Sequence, residues 1–185
     1  MLSMAIKWVK NILLAIIAAI IIEKFVFGLT IVQGMSMNPT INDHDKLFVN
    51  KIIYLIKKPQ YGDIIIFHPP LKDRDKELFI KRVVAVEGDF FSIENGKLYR
   101  NGKELRESYI LSQNDQDRNY DFTTGRVPEG MLFVLGDNRN DSNDSRCFGF
   151  VPLKNIEGKA NLRLWPLDSV KAFSLNYAKE YDLQE

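Results

Sequence analysis

The sequence is poor in the residues that bind metals and form disulfides. Among 185 residues it has one cysteine, Cys147, and two histidines, His44 and His68. A single cysteine excludes an intramolecular disulfide. No HExxH motif is present, so a zinc site would have to be built largely from carboxylates, unlike the usual His and Cys sites. We therefore expect no bound metal and no cofactor.

An excess of charge of either sign is also lacking. The chain has 25 Lys and Arg against 24 Asp and Glu, so its formal net charge is +1. Domains that bind nucleic acids usually carry a strongly basic surface that neutralises phosphates. The charge balance therefore argues against a nucleic acid as a partner of the chain as a whole.

One long hydrophobic run is present, at the N-terminus. Residues 8–27 read WVKNILLAIIAAIIIEKFVF, and about 20 residues of helix span the roughly 30 Å core of a bilayer. A cleaved signal peptide would need a small-x-small site after the run, where the chain reads EKFVFG. A buried core helix is another possibility, but the run is apolar on every face, which a domain of about 150 residues seldom needs. We therefore predict one uncleaved transmembrane helix over residues 8–28.

The charges that flank this run predict its orientation. Lys7 and Lys10 precede its apolar centre, and the positive-inside rule then assigns residues 1–7 to the cytoplasm. Lys24, on the other side of the run, opposes this assignment in part. The expected protein is a single-pass protein of the cell membrane that contacts lipid, with residues 29–185 outside the cytoplasm.

After Gly28 the pattern changes to short runs rich in β-branched and aromatic residues, which are typical of strands. The candidate strands are 46–52, 63–68, 78–86, 89–93, 131–136 and 160–165. Asn95-Gly96 and Asn101-Gly102 are hairpin turn signals on either side of the short strand KLYR. Residues 103–126 are polar without a clear period and predict an excursion or flap. The expected fold is mainly β, an antiparallel β-sheet domain preceded by the transmembrane helix.

Lys81 is an unusual residue in the strand predicted over 78–86. Strand alternation puts it on one face with Phe79, Val83 and Ala85, and Arg82 on the other face. The strand could be an edge strand whose cations reach solvent. Alternatively, one cation is buried and holds its proton weakly. Lowering a lysine pKa from ~10.4 to about 8 corresponds to roughly 3 kcal/mol of differential solvation, which an apolar face can supply.

Two polar segments stand out beside this strand. The stretch VQGMSMNPTI, residues 32–41, places Ser36 between two methionines directly after the oily N-terminal run. The stretch LGDNRNDSNDSRCFGF, residues 135–150, is a dense polar loop between two apolar segments. It lacks the glycine and the terminal glutamate of an EF-hand calcium loop. A polar loop held in this way can orient a neighbour through hydrogen bonds.

Four segments, in this order, resemble the type I signal peptidases, enzymes that cut signal peptides from exported proteins. The segments are GMSMNPT (34–40), YGDIIIF (61–67), KRVVAVEGD (81–89) and GDNRNDSNDSRCFGFV (136–151). The resemblance implies a membrane-bound serine endopeptidase of the compact Gram-positive-like form, with secretory preproteins as substrates and cleavage after a small-x-small motif. Four boxes with correct internal spacing are far more specific than any one of them.

The resemblance also implies roles for individual residues. Ser36 would be the nucleophile, Lys81 the general base, and Ser142 a hydrogen-bonding partner that orients the lysine. Gly34 stands where Gram-negative members carry a serine that assists the oxyanion, which leaves the backbone N–H of Ser36 as the donor. Four residues match the family's structural ion-pair positions: Arg82, Asp137, Asp144 and Arg146.

The expected substrate cleft is apolar. Shallow pockets lined in part by Met35, Ile64 and Ile66 would admit only alanine-sized side chains, and Met35 and Met37 would lie in the cleft or at the lipid interface. Two alternatives stay open. A noncatalytic membrane-anchored β domain could bind extended peptides by edge-strand addition. A Ser-His-Asp triad could use His44 or His68.

Overall fold

The computed structural model of the chain describes residues 2–110 and 120–173. Helix α1, Leu2–Phe25, contains most of the predicted membrane segment. In these two ranges, no helix reaches the length and hydropathy that crossing a membrane requires. The helix ends three residues before the predicted boundary at residue 28, because Phe27 and Gly28 pair with Asn50 and Val49 in a β-sheet.

The rest of the described chain is mainly β, as predicted from its composition. The strands are β1 (Phe27–Ile31), β2 (Lys46–Asn50), β3 (Ile64–Phe67), β4 (Phe79–Val86), β5 (Phe90–Glu94), β6 (Lys97–Arg100), β7 (Lys103–Glu104), β8 (Thr124–Arg126), β9 (Met131–Leu135), β10 (Val151–Pro152), β11 (Ile156–Trp165) and β12 (Lys171–Ala172). Two short helices are α2 (Ile53–Ile56) and α3 (Ser145–Phe148). All six candidate strands are confirmed within a few residues.

The strands form two antiparallel sheets. The larger has the order β1-β2-β11-β3-β4-β9-β10, with β12 beside β11. The smaller has the order β7-β6-β5-β8 and includes the predicted hairpin around KLYR. Strand β4 lies between β3 and β9, so the edge-strand interpretation of 78–86 is wrong.

Strand β3 shows why an uninterrupted apolar run occurs in the middle of the larger sheet. Its four side chains alternate between two separate core clusters. Ile64 and Ile66 pack with a cluster that includes Met37, while Ile65 and Phe67 pack with the cluster on the opposite face. Both faces of this central strand are therefore buried.

The polar segment 103–126 is more ordered than its composition suggested. Its described ends form β7 and β8 in the smaller sheet, and residues 111–119 lie outside the described residues. Leu105, Glu107 and Tyr109 are buried, so this part of the segment packs into the domain despite its polar composition, and the excursion itself stays a prediction. The cause is tertiary pairing: Leu105 packs in a core cluster and Glu107 pairs with a distant arginine, which no local period reveals.

Candidate active site

Ser36 and Lys81 meet although 45 positions separate them in the sequence. Ser36 lies half-buried in the turn between β1 and β2, and Lys81 points from the interior strand β4. The Lys81 Nζ donates a hydrogen bond of 2.7 Å to Ser36 Oγ and another of 3.0 Å to the Ile80 carbonyl oxygen. The geometry is that of a hydroxyl next to an amine able to take its proton.

The environment of Lys81 makes that amine a usable base. Only 4% of the residue is exposed, and this burial lowers the pKa of Lys81 from its ordinary value to about 8. The carboxylates of Asp144 and Asp137 act in the opposite direction and hold the pKa from falling further. The alternative in which the Lys81 cation is buried therefore agrees with the structure.

The loop after β9 holds the backbone of Ser36. The Asn138 N–H donates to the Ser36 carbonyl oxygen at 3.0 Å, and Asn138 Nδ2 donates to the Met35 carbonyl at 3.2 Å. Gly136 packs so closely against this backbone that a Cβ at its position would lie 2.5 Å from Ser36 O. Sequence reasoning singled out neither residue, because the contact joins segments about 100 positions apart.

The predicted hydrogen bond between Ser142 and Lys81 is not formed. Ser142 is buried, and its hydroxyl has no hydrogen-bond partner among the described residues. The Lys81 amine is directed instead to Ser36 Oγ and the Ile80 carbonyl, and Ser142 lies against Gly136. A role for Ser142 in orienting Lys81 stays a prediction.

Two buried ion pairs flank the loop, at the four positions that the resemblance indicated. Arg82 donates two hydrogen bonds to Asp137, of 2.8 and 2.7 Å, and both side chains are almost fully buried. Arg146 grips Asp144 with two bonds of 2.9 Å. Asp144 also accepts the Gly136 N–H at 3.0 Å. Paired in this way, the buried charges can hold the loop in one conformation.

The three residues predicted to line the cleft differ in exposure. Met35 is 55% exposed, whereas Ile64 and Ile66 are each 2% exposed and belong to the core. Met37, expected in the cleft or at the lipid, is also buried in that core. Of these four residues, Met35 alone has a side chain open to a substrate.

Neither histidine hydrogen-bonds to Ser36. His44 is highly exposed and lies 3.3 Å from Asp43, while His68 bonds the Glu77 carbonyl and Glu157. The hydrogen-bonding partner of Ser36 Oγ is Lys81. The triad alternative therefore has no geometric support.

Comparison with known proteins agrees with this arrangement. The family model described as signal peptidase, peptidase S26, matches residues 5–165. The chain belongs to the signal peptidase family, peptidase S26. The match spans 161 residues, so the likeness extends well beyond the four boxes.

Three relatives of this family member illustrate the similarity. A probable signal peptidase I-1 of Synechocystis is 42% identical over 159 residues, 83% of this chain and 79% of that protein. A signal peptidase I of Bacillus caldolyticus is 40% identical over 170 residues, 86% of this chain and 90% of that protein. A crystal structure of a signal peptidase I from Enterococcus faecalis, 37% identical, covers 57% of this chain and 99% of its own, with a TM-score of 0.46.

Proposed function

We propose that this protein is a serine endopeptidase that removes N-terminal signal peptides from exported preproteins, with Ser36 as nucleophile and Lys81 as general base. The hydrogen bond between Lys81 Nζ and Ser36 Oγ carries this proposal, since it joins a hydroxyl to an amine whose pKa is lowered by burial. The family membership supports the reaction class.

The reaction starts when neutral Lys81 takes the proton of the Ser36 hydroxyl as Oγ attacks the scissile carbonyl carbon. The backbone N–H of Ser36 donates to the resulting oxyanion. Protonated Lys81 then gives its proton to the leaving amine as the C–N bond breaks, which leaves an acyl ester on Ser36. A water molecule, deprotonated by Lys81, attacks the ester, and Ser36 recovers its proton as the signal peptide departs.

The oxyanion donor is assigned to backbone because position 34 offers no hydroxyl. Gly34 has a φ of 92°, a conformation that favours glycine, and its own N–H donates to Asp43 Oδ1 at 2.8 Å. That bond holds the turn that presents Ser36. The serine of Gram-negative relatives has no equivalent in this chain.

The Lys81 pKa predicts the pH dependence. We expect kcat/KM to fall about tenfold per pH unit below about pH 8, because the fraction of neutral Lys81 falls by that factor. A pH–rate profile on one peptide substrate measures this limb. His44→Gln and His68→Gln should leave it in place. A limb near ~6.5 that disappears in either variant would identify a histidine as the base.

We also propose that α1 anchors the protein in the cell membrane, with residues 1–7 in the cytoplasm, 8–28 as the anchor and 29–185 outside. The described apolar side chains of α1 are all exposed, which leaves them available to lipid. Lys51 Nζ donates to the carbonyls of Glu23 and Lys24, which ties the helix end to the residue directly after β2. Alkaline extraction should leave the protein in the membrane; its release into the wash would count against the anchor.

The test of the function is cleavage of a preprotein by the full-length protein in detergent, with the new N-terminus read by mass spectrometry. We propose that the substrate binds as an extended strand, so residues −1 and −3 point to the same side. A matched pair of preproteins with Ala or Leu at −1 should differ: the first is cut after the alanine and the second is refused. Binding without cleavage of either would favour the noncatalytic alternative.

A further inference from the structure

A third buried ion pair lies beside the two that flank the loop, and the proposed mechanism does not use it. Arg139 Nη1 donates to Glu107 Oε2 at 2.7 Å, and Nη2 donates to Glu107 Oε1. Tyr109 completes the group, since its hydroxyl donates to Glu107 Oε1 at 2.7 Å. Side-chain exposure is 5% for Arg139 and 0% for Glu107.

This group touches the loop that holds the nucleophile. Arg139 Nε donates to the Gly136 carbonyl at 3.1 Å, and the Arg139 carbonyl accepts from Arg146 Nη2 at 2.7 Å. Asn138, the residue that donates to Ser36 O, lies between these contacts in sequence. Glu107, by fixing the guanidinium of Arg139, therefore restrains the backbone from which Asn138 reaches the nucleophile.

The same group touches the strand that carries the base. The guanidinium of Arg82 lies 4.0 Å from the centre of the Tyr109 ring, a cation–π contact. Arg82 directly follows Lys81 in β4 and grips Asp137 in the loop. The Tyr109 ring therefore packs against the Arg82–Asp137 ion pair, which joins β4 to the loop after β9.

We propose that Glu107 and Tyr109 are positioning residues that hold Ser36 and Lys81 at reacting distance. They act through Arg139 and Arg82 and touch neither reacting atom. The proposal rests on the proposed function, because it concerns the same catalytic pair. Misplacement of a reacting group by about 1 Å can cost on the order of 100-fold in rate. The two residues follow β7 of the smaller sheet and contact Arg139 and Arg82, so they join that sheet to the site.

Protonation does not interfere with this role at neutral pH. Burial raises the pKa of Tyr109 well above its ordinary value, with the Glu107 carboxylate adding to the effect, so its hydroxyl stays a donor. The paired Glu107 raises the pKa of Arg139, which outweighs the opposing effect of burial, so the guanidinium stays charged.

The experiment compares the Glu107→Gln and Tyr109→Leu variants with the wild type, all as full-length proteins. It measures kcat and KM on one peptide substrate, and the temperature of thermal unfolding. Tyr109→Phe keeps the ring beside Arg82 and removes only the hydroxyl. Glu104→Gln is the matched surface control, since Glu104 pairs with Lys97 in an exposed ion pair. Leu98→Ala is the stability control, because it removes packing from the same small sheet without touching the group.

We expect kcat to fall about tenfold to 100-fold in Glu107→Gln and Tyr109→Leu, with KM within about twofold. Tyr109→Phe should retain more activity than Tyr109→Leu, and Leu98→Ala should lose stability with kcat unchanged. Wild-type kcat in folded Tyr109→Leu, or an equal kcat loss in Leu98→Ala, would overturn the proposal. If Glu107→Gln does not fold, the kcat values of the two Tyr109 variants decide whether the proposal holds. Cleavage by the wild type but not by Ser36→Ala checks the proposed function separately.

Discussion

Ser36→Ala and Lys81→Arg should each abolish preprotein cleavage, with kcat/KM falling on the order of 10⁴-fold or more. The first variant removes the only atom that forms the acyl ester. The second keeps a cation of similar length, but a guanidinium does not give up its proton and so cannot accept one from Ser36. Product formation from a preprotein, followed by mass spectrometry, measures both losses.

The control for this prediction is Lys159→Arg. Lys159 is another buried lysine, and its Nζ bonds Asp63 at 2.5 Å, away from Ser36. Lys159→Arg tests whether replacing any buried lysine by arginine lowers kcat/KM as much as Lys81→Arg does. Activity in Ser36→Ala, or equal losses in the two lysine variants, would remove the Ser36–Lys81 pair from the mechanism.

Strand alternation left the burial of Lys81 open, because it does not distinguish an edge strand from an interior one. Its three apolar neighbours on one face, Phe79, Val83 and Ala85, are compatible with either kind of strand, and the position of β4 between β3 and β9 shows that it is an interior one. Alternation did not tell whether Ile64 and Ile66 face a cleft or a core. In a central strand both faces are apolar, and the alternation signal is lost.

The contacts between distant segments could not be predicted from local patterns. Glu107 and Arg139 are 32 positions apart, and each lies in a stretch whose composition indicates an exposed loop. A buried charge pair leaves the same local signature as two solvated residues. The positions of Arg82 and Asp137 were accessible only through the family resemblance, which carries tertiary information from other structures.

The two methionines that flank Ser36 illustrate the same limit. Both are apolar and adjacent to the nucleophile, yet Met35 is exposed and Met37 is buried with Ile64 and Ile66. They lie on either side of Ser36 in the turn between β1 and β2, and of the two only Met37 enters the core. The sequence shows that a glycine stands at position 34, but it does not show the direction of the turn that follows.

Gly136→Ala should be the most damaging substitution outside the catalytic pair. Its conformation is open to alanine, so the cost comes from neighbours and not from strain. An added Cβ would lie 2.5 Å from the Ser36 carbonyl oxygen and closer still to Ser142 Oγ. The Ser142 side chain can rotate away from the added methyl group. The Ser36 oxygen belongs to the backbone and accepts the Asn138 N–H, so the methyl group displaces the backbone of Ser36. We expect kcat/KM to fall about 100-fold or more.

Gly130→Ala separates this effect from a general loss of stability. A Cβ at Gly130 meets no neighbouring atom, but its φ of 71° strains an alanine by about 1 kcal/mol. That variant should unfold at a lower temperature and keep its kcat/KM. Gly136→Ala should lose activity beyond what its own unfolding temperature explains, because a shift of the Ser36 backbone moves Oγ away from Lys81 Nζ. Wild-type kcat/KM in Gly136→Ala would mean that the loop yields to the methyl group without moving the nucleophile.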